Sequence, residues 1–73
     1  MKTIFVPMML RCARKRHEMT LKYVSKKTGI TISQLSEIER GVTLPSIKTM
    51  LTLTDFYEVP VESLFSTFED VEM

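Results

Sequence analysis

The chain has 73 residues, of which 44% are hydrophobic and 26% are charged. This composition predicts one folded domain over residues 1–73, because it is too apolar for a disordered tail and too short for a second core. The single cysteine, Cys12, excludes an internal disulfide. No apolar stretch is long enough to cross a membrane, so we expect a cytoplasmic protein.

The net charge of +1 hides an uneven distribution along the chain. Residues 1–29 contain eight basic residues and one acidic residue, a net charge of +7, whereas residues 30–73 contain two basic and eight acidic residues, a net charge of −6. Such a division can orient one face of a protein towards a polyanion. Solvated charge runs produce the same pattern, so the division alone does not identify a partner.

An extended arm and a first helix open the chain. Residues 3–6, Thr-Ile-Phe-Val, are β-prone and predict a short arm over residues 1–6. Pro7 suits the first position of a helix that continues to about Arg16. One face of this helix carries Leu10, Ala13 and His17.

A second helix is predicted over residues 21–28. Thr20 is a good N-cap for it, and Met19 and Val24 occupy the two positions of a hydrophobic staple. Gly29 can take the left-handed conformation that closes a helix. The sequence therefore marks both ends of this element.

The same start signal recurs at once for a third helix, at about residues 32–40. Thr31 is its N-cap, and Gln34 completes a capping box. The helix buries Leu35 and Ile38 and exposes its other side. Two short helices joined by a turn of about three residues have the geometry in which the second enters the major groove of DNA while the first lies across the backbone.

Two further helices complete the predicted fold. Ser46 caps a fourth helix, and a short fifth helix with Val61, Leu64 and Phe65 begins near Pro60. Apolar residues of the fourth helix that recur at helical spacing are Ile47, Met50, Leu51 and Thr54. The predicted fold class is all-α, with five helices in a core over residues 7–66, the extended arm, and a tail over residues 67–73.

Several motifs in this pattern resemble one family of domains. They are the segment from Met19 to Gly41, which includes Ile-Glu-Arg-Gly at residues 38–41, then Leu-Pro-Ser at 44–46 and Val-Pro-Val-Glu-Ser-Leu-Phe at 59–65. Over residues 8–66 the chain resembles the Cro-like and phage-repressor-like (XRE-type) helix-turn-helix domains. The resemblance implies five helices, DNA binding by the second and third, and an internal ion pair between Arg14 and Glu39.

The chain departs from the family pattern at a few positions. Leu21 stands where a glutamine commonly reaches a DNA phosphate, and the loop at residues 42–43 lacks a frequent lysine or arginine. Glu18 and Glu58 replace glycines that commonly end the first and fourth helices. These departures bear on affinity and local structure more than on the fold.

Base-reading side chains are expected on the exposed side of the third helix. Gln34 can pair with adenine and Glu37 can accept from cytosine N4, although Gln34 can also act only in the capping box and Glu37 can be a solvated charge. The candidate base contacts are Ile32, Ser33, Gln34 and Glu37. The candidate phosphate-backbone contacts, at helix starts and flanking loops, are Thr20, Lys22, Thr31, Arg40 and Thr43.

These residues predict a sequence-specific regulator of transcription, a repressor, that binds double-stranded DNA as a homodimer without a cofactor. The hypothetical dimer contact consists of apolar residues near the carboxyl end, namely Phe56, Val59, Phe65, Phe68 and Val71. Two alternatives remain open. Residues 4–6 can pair across the dimer, or the tail can fold back over its own core.

Other classes of function have less support in the sequence. One histidine, one cysteine and no glycine-rich phosphate loop or metal-ligand spacing provide no catalytic set, so no enzyme and no metal site is expected. The rival interpretation is a protein-binding module of the same fold, similar to an antitoxin, that binds a partner protein. The acidic third helix favours this rival, whereas the +7 amino-terminal part opposes it.

Overall fold

The structure, a computed structural model, describes residues 2–68 of the chain. Its elements in chain order are β1 (Lys2–Phe5), α1 (Met8–Arg16), α2 (Leu21–Thr28), α3 (Ile32–Glu39), α4 (Ile47–Tyr57), a one-turn 3-10 helix (Val61–Leu64) and β2 (Phe65–Phe68). The prediction of an all-α fold with five helices therefore requires correction. The described part of the chain has four α-helices and a small two-stranded sheet.

The sheet explains why the predicted fifth helix is only one turn long. β1 and β2 are antiparallel, with Lys2 opposite Phe68 and Phe5 opposite Phe65. Because Phe65 is already extended, with φ −125° and ψ 144°, the chain leaves the helical conformation after Leu64. The rings of Phe5 and Phe65 also meet edge to face, with centroids 6.2 Å apart. One edge of the amino-terminal arm is thus occupied by the chain's own carboxyl-terminal strand.

Helix α2 begins and ends at the predicted residues. The Thr20 hydroxyl accepts a hydrogen bond from the Tyr23 N–H at 3.1 Å. Gly29 ends the helix with φ 81°, in the left-handed region. A Cβ at this glycine would meet no atom within 4 Å, so the backbone conformation, rather than crowding, favours glycine here.

The predicted capping box at the start of α3 is confirmed. The Gln34 N–H donates to the Thr31 hydroxyl at 3.1 Å, and the Thr31 N–H donates to Gln34 Oε1 at 3.3 Å. These two bonds satisfy amide groups that have no partner inside the helix. Only residues 29–31 separate α2 from α3. Gly29, which ends α2, and the capping box, which begins α3, therefore fix the turn between the helices from both sides.

The core lies where α1, α2, α3, α4 and the 3-10 helix meet. Its buried hydrophobic residues are Leu10, Ala13, Val24, Leu35, Ile38, Met50, Leu53, Tyr57 and Leu64. Phe5 of β1 packs against this cluster from the side of the sheet. Burial of this apolar surface is the main source of stability for so small a domain.

The buried face of α4 differs from the predicted one. Met50 and Thr54 are buried as expected, but Ile47 and Leu51 are 75% and 50% exposed. The helix instead buries Leu53 and Tyr57. Since apolar residues lie on more than one side of α4, their spacing allows two stripes, and the packing of α1, α2 and the 3-10 helix selects between them.

The lengths of the helices also bear on membrane insertion. The longest described helix, α4, has 11 residues. No helix within residues 2–68 is long and apolar enough to cross a bilayer.

Candidate nucleic-acid interface

The outward side of α3 carries the predicted base-reading residues. Leu35 and Ile38 anchor the helix in the core, at 2% and 4% exposure. Ile32, Ser33 and Gln34 are exposed on the first turn. The exposed side of α3 therefore presents both polar and apolar side chains to a DNA groove, beside the capped amino terminus of the helix.

Gln34 takes part in the capping box and still has groups to offer outside it. Its Oε1 accepts from both the N–H and the hydroxyl of Thr31, at 3.3 Å each. The amide nitrogen remains as a donor on an exposed side chain. The capping interpretation and the base-reading interpretation of this residue are thus compatible.

Glu37 is held by the loop that follows α3. The Thr43 hydroxyl donates to Glu37 Oε2 at 3.3 Å, and the Glu37 side chain is half-buried. Both residues line a cavity of about 240 Å³ with Gln34 and the start of α4 at Ser46. The Thr43 hydroxyl hydrogen is therefore used inside the protein, and the carboxylate of Glu37 keeps acceptor capacity for a donor from outside.

The remaining predicted phosphate contacts lie at exposed positions. Thr20 and Thr31 cap α2 and α3, where free N–H groups and the positive end of each helix dipole attract anions. Lys22 is exposed on the first turn of α2. Arg40, which ends α3, donates from Nε to the Ser36 hydroxyl at 3.2 Å.

The predicted ion-pair residues, Arg14 and Glu39, are in direct contact. Arg14 donates from Nε to Glu39 Oε2 at 2.8 Å and from Nη2 to Glu39 Oε1 at 3.0 Å, and its Nη1 donates to the Met19 carbonyl at 2.9 Å. The side chains are only 11% and 9% exposed. The hydrogen bond with Glu39 raises the pKa of Arg14, although burial opposes this effect. The contact ties α1 and the turn before α2 to the end of α3.

The uneven charge of the sequence becomes an uneven distribution over the elements, although α4 also exposes Lys48. The basic residues exposed on α1 and α2 are Arg11, Lys15, Arg16, Lys22, Lys26 and Lys27. Exposed acidic residues on α4 and the elements after it are Asp55, Glu58 and Glu62. Residues 2–68 contain no group of acidic, histidine or cysteine side chains arranged to hold a metal ion.

The apolar residues proposed for a dimer contact have different surroundings. Phe56 and Val59 are half-buried against the core, whereas Phe65 is 37% exposed. The Phe68 side chain and Val71 lie outside the part of the chain that the structure describes. Large exposed apolar residues that sequence reasoning did not place on the surface are Val42, Leu44, Ile47 and Leu51. No pattern distinguishes the two on α4 from core residues, because they continue its apolar spacing.

Comparisons with known proteins point to one family. A family model described as helix-turn-helix matches residues 10–64. An uncharacterised HTH-type transcriptional regulator of Methanocaldococcus jannaschii is 32% identical over 63 residues, which cover 86% of this chain and 94% of that protein. No solved structure matches the chain.

Proposed function

Since the chain belongs to the helix-turn-helix family of the Cro and phage-repressor type, we propose that it is a cytoplasmic transcriptional repressor that binds a specific sequence of duplex DNA as a homodimer. The observation that carries the proposal is the exposed first turn of α3, fixed by a capping box and anchored by buried Leu35 and Ile38. A helix presented in this way can lie in a major groove without disturbing the core.

Recognition begins with the phosphate backbone. The amino termini of α2 and α3 face phosphates through Thr20 and Thr31, and Lys22 and Arg40 add positive charge nearby. These contacts set the register of the protein on DNA but carry no sequence information. Thr43, the fifth candidate for a phosphate contact, instead donates its hydroxyl hydrogen to the carboxylate of Glu37.

Sequence is read by the side chains of α3. Gln34 pairs with adenine, and Glu37 accepts from the amino group of cytosine, while Ile32 contacts a thymine methyl group and Ser33 bonds to a neighbouring base. Glu37 gives the sharpest test of base reading, because a carboxylate close to phosphates costs electrostatic energy unless the amino group of a DNA base donates a hydrogen bond to it. Its bond from Thr43 supports an ordered carboxylate.

Selection of binding sites from random duplexes tests the proposal. The wild-type protein should recover two related half-sites whose centres are about one helical turn, roughly 34 Å, apart. The variant Glu37→Gln should bind non-specific DNA better but lose preference at one base pair per half-site, a loss of about 1 to 3 kcal/mol of discrimination. Glu62→Gln, which removes the same charge from an exposed position on the 3-10 helix, serves as the control.

The outcomes of this selection separate the parts of the proposal. Recovery of an identical motif by Glu37→Gln would remove Glu37 from base reading and leave DNA binding intact. Failure of the wild-type protein to enrich any sequence would contradict sequence-specific recognition as a whole.

The protein-binding module remains a second candidate for a specific reason. Val42 and Leu44, directly after the recognition helix, are 64% and 69% exposed. Apolar side chains there contribute nothing to phosphate binding, but they suit an interface with another protein. Retention on random duplex DNA and heparin at low salt distinguishes the two, because a module specialised for a protein partner would pass through both columns.

A further inference from the structure

A cleft on the basic side of the molecule combines three elements around the Arg14–Glu39 pair. It has a volume of about 280 Å³ and lies between α1, the start of α2 and the end of α3. The residues that line it are Arg11, Arg14, Leu21, Ser36, Glu39 and Arg40. Three arginines and one glutamate therefore line the same small space.

The charges of this cleft do not cancel. Arg14 and Glu39 neutralise each other through two hydrogen bonds, at 2.8 and 3.0 Å. Arg11 and Arg40 are both exposed, and within residues 2–68 Arg11 has no side-chain hydrogen bond or ion-pair partner. The cleft thus keeps the positive charge of two arginines above a neutral ion pair.

Arg40 is oriented for a ligand by its own helix. Its Nε donates to the Ser36 hydroxyl, one turn earlier on α3, at 3.2 Å. This bond ties Nε to the helix and leaves both terminal nitrogens without a partner in the described part of the chain. Arg11 approaches the same cleft from α1. The planar guanidinium group of each arginine matches the oxygens of a phosphate.

We propose that this cleft binds one backbone phosphate of duplex DNA, with Arg11 and Arg40 donating to it from opposite elements. The proposal rests on the DNA-binding function proposed above and extends the interface from α2 and α3 onto α1. Ser36 acts as a positioning residue, since its hydroxyl orients Arg40. The ligand chemistry is that of a phosphate oxyanion, which a free phosphate shares with a phosphodiester.

The test measures how the affinity for a random duplex depends on salt. For B-DNA the slope of log K against log salt changes by about 0.9 for each phosphate that the protein neutralises. If Arg11 and Arg40 share one phosphate, Arg11→Ala and Arg40→Ala should each weaken binding, and the double variant Arg11→Ala/Arg40→Ala should lower the slope by about 0.9, as for a single lost contact. An Arg11→Ala variant that binds like the wild type would leave Arg40 as the only arginine on that phosphate and would overturn the proposal. The matched control is Arg16→Ala, which removes an exposed arginine of α1 outside the cleft.

Each other outcome overturns the proposal. A decrease of about 1.8 in the double variant would mean two separate phosphates, and an effect no larger than that of Arg16→Ala would place the cleft outside the interface. In both cases DNA binding itself would stand. A second arm titrates the free protein with inorganic phosphate at constant ionic strength and follows the Nε–H resonances of Arg11 and Arg40. Shifts in that arm without any duplex binding would assign the cleft to a free phosphate, and the proposed function would fail together with the assignment to DNA.

Discussion

Arg14 and Glu39 form an ion pair that fixes the position of α3 relative to α1. The carboxylate at the end of α3 lies where the helix dipole is unfavourable for an acid, so it gains from a nearby cation. The guanidinium supplies that cation and also donates a hydrogen bond to the Met19 carbonyl at 2.9 Å. Because both side chains are largely removed from water, either one alone would be an uncompensated charge.

A double-mutant cycle measures this coupling. Arg14→Met should lower the free energy of unfolding by about 3 kcal/mol, because it leaves Glu39 buried without its partner. The double variant Arg14→Met/Glu39→Leu should recover much of the loss, since no buried charge remains. Urea unfolding measures both, and Arg16→Met, at an exposed position of the same helix, is the control. Losses that simply add in the double variant would show that the pair contributes no coupling.

Tyr57 predicts how stability responds to alkaline pH. The side chain is 3% exposed, and burial, followed by the nearby charge of Glu39, raises its pKa to about 12. An unfolded chain releases this proton near pH 10, whereas the folded protein retains it. The unfolded state is therefore favoured progressively as the pH rises from about 10 to 12, and up to about 2 to 3 kcal/mol of stability is lost.

The alkaline effect is isolated by replacing the titrating group. Unfolding in urea across this pH range should show a steeper loss of stability for the wild-type protein than for Tyr57→Phe. Tyr23→Phe removes a 45% exposed phenol and serves as the control, which should follow the wild-type curve. Equal slopes for all three proteins would mean that Tyr57 titrates alike in the folded and unfolded states.

At the scale of elements, the helix ends differ in how well their residues suit the backbone. Gly29 and Gly41 take positive φ values of 81° and 75°, but Glu18 and Glu58 do so as well, at 54° and 57°. A residue with a Cβ pays about 1 to 2 kcal/mol for the left-handed region. The two glutamates replace glycines of the family pattern, so the fold keeps the backbone conformation and accepts its cost.

The variant Glu58→Gly should therefore stabilise the protein by about 0.5 to 1 kcal/mol, after the entropy cost of glycine is subtracted. It also removes a negative charge from the carboxyl end of α4, which the helix dipole disfavours. Gly29→Ala is the mirror experiment and should destabilise by about 1 kcal/mol for a backbone reason alone, because its Cβ would meet no atom. Urea midpoints measure both changes, and a loss of stability in Glu58→Gly would contradict the argument.

The same elements show what sequence can predict and where it stops. Helix boundaries followed from caps, because Thr20, Thr31 and Ser46 act on amides within the next turn. The buried face of α4 and the length of the last helix depend on contacts with distant elements. Ile47 is exposed because α1, α2 and the 3-10 helix pack on the other face of α4, and Phe65 is extended because β1 pairs with it. Neither contact leaves a trace in the local pattern.

In the candidate site, too, local sequence signals identified some residues, whereas others depend on contacts made by the tertiary fold. Gln34 was identifiable from its spacing to Thr31, and Arg14 from its match to a family position. The bond from Thr43 to Glu37 and the position of Arg11 beside Arg40 join segments whose approach depends on the tertiary fold. A sequence pattern names candidate residues, but the three-dimensional packing decides which of them act together.

At the scale of the whole molecule, exposed basic side chains concentrate on α1 and α2. Helix α4 exposes two large aliphatic side chains, Ile47 and Leu51. A protein that binds DNA through its basic elements can keep an apolar surface on another element for a second copy. Leu51 and Val59, which belongs to the proposed dimer contact, line one groove beside α4.

The dimer is the prediction that depends on this arrangement. At high micromolar concentration the wild-type protein should sediment with a mass twice the 8.5 kDa of one chain. Leu51→Lys should shift this equilibrium to the monomer without unfolding, because the side chain is 50% exposed and lies outside the core cluster. Tyr23→Lys, which places the same charge on a 45% exposed position of α2, should leave the dimer intact. A two-fold dimer doubles the phosphate contacts, so Leu51→Lys should also weaken binding to a paired half-site far more than binding to a single one. A wild-type monomer at high micromolar concentration would contradict the dimer, and a dimeric Leu51→Lys would move the contact away from α4.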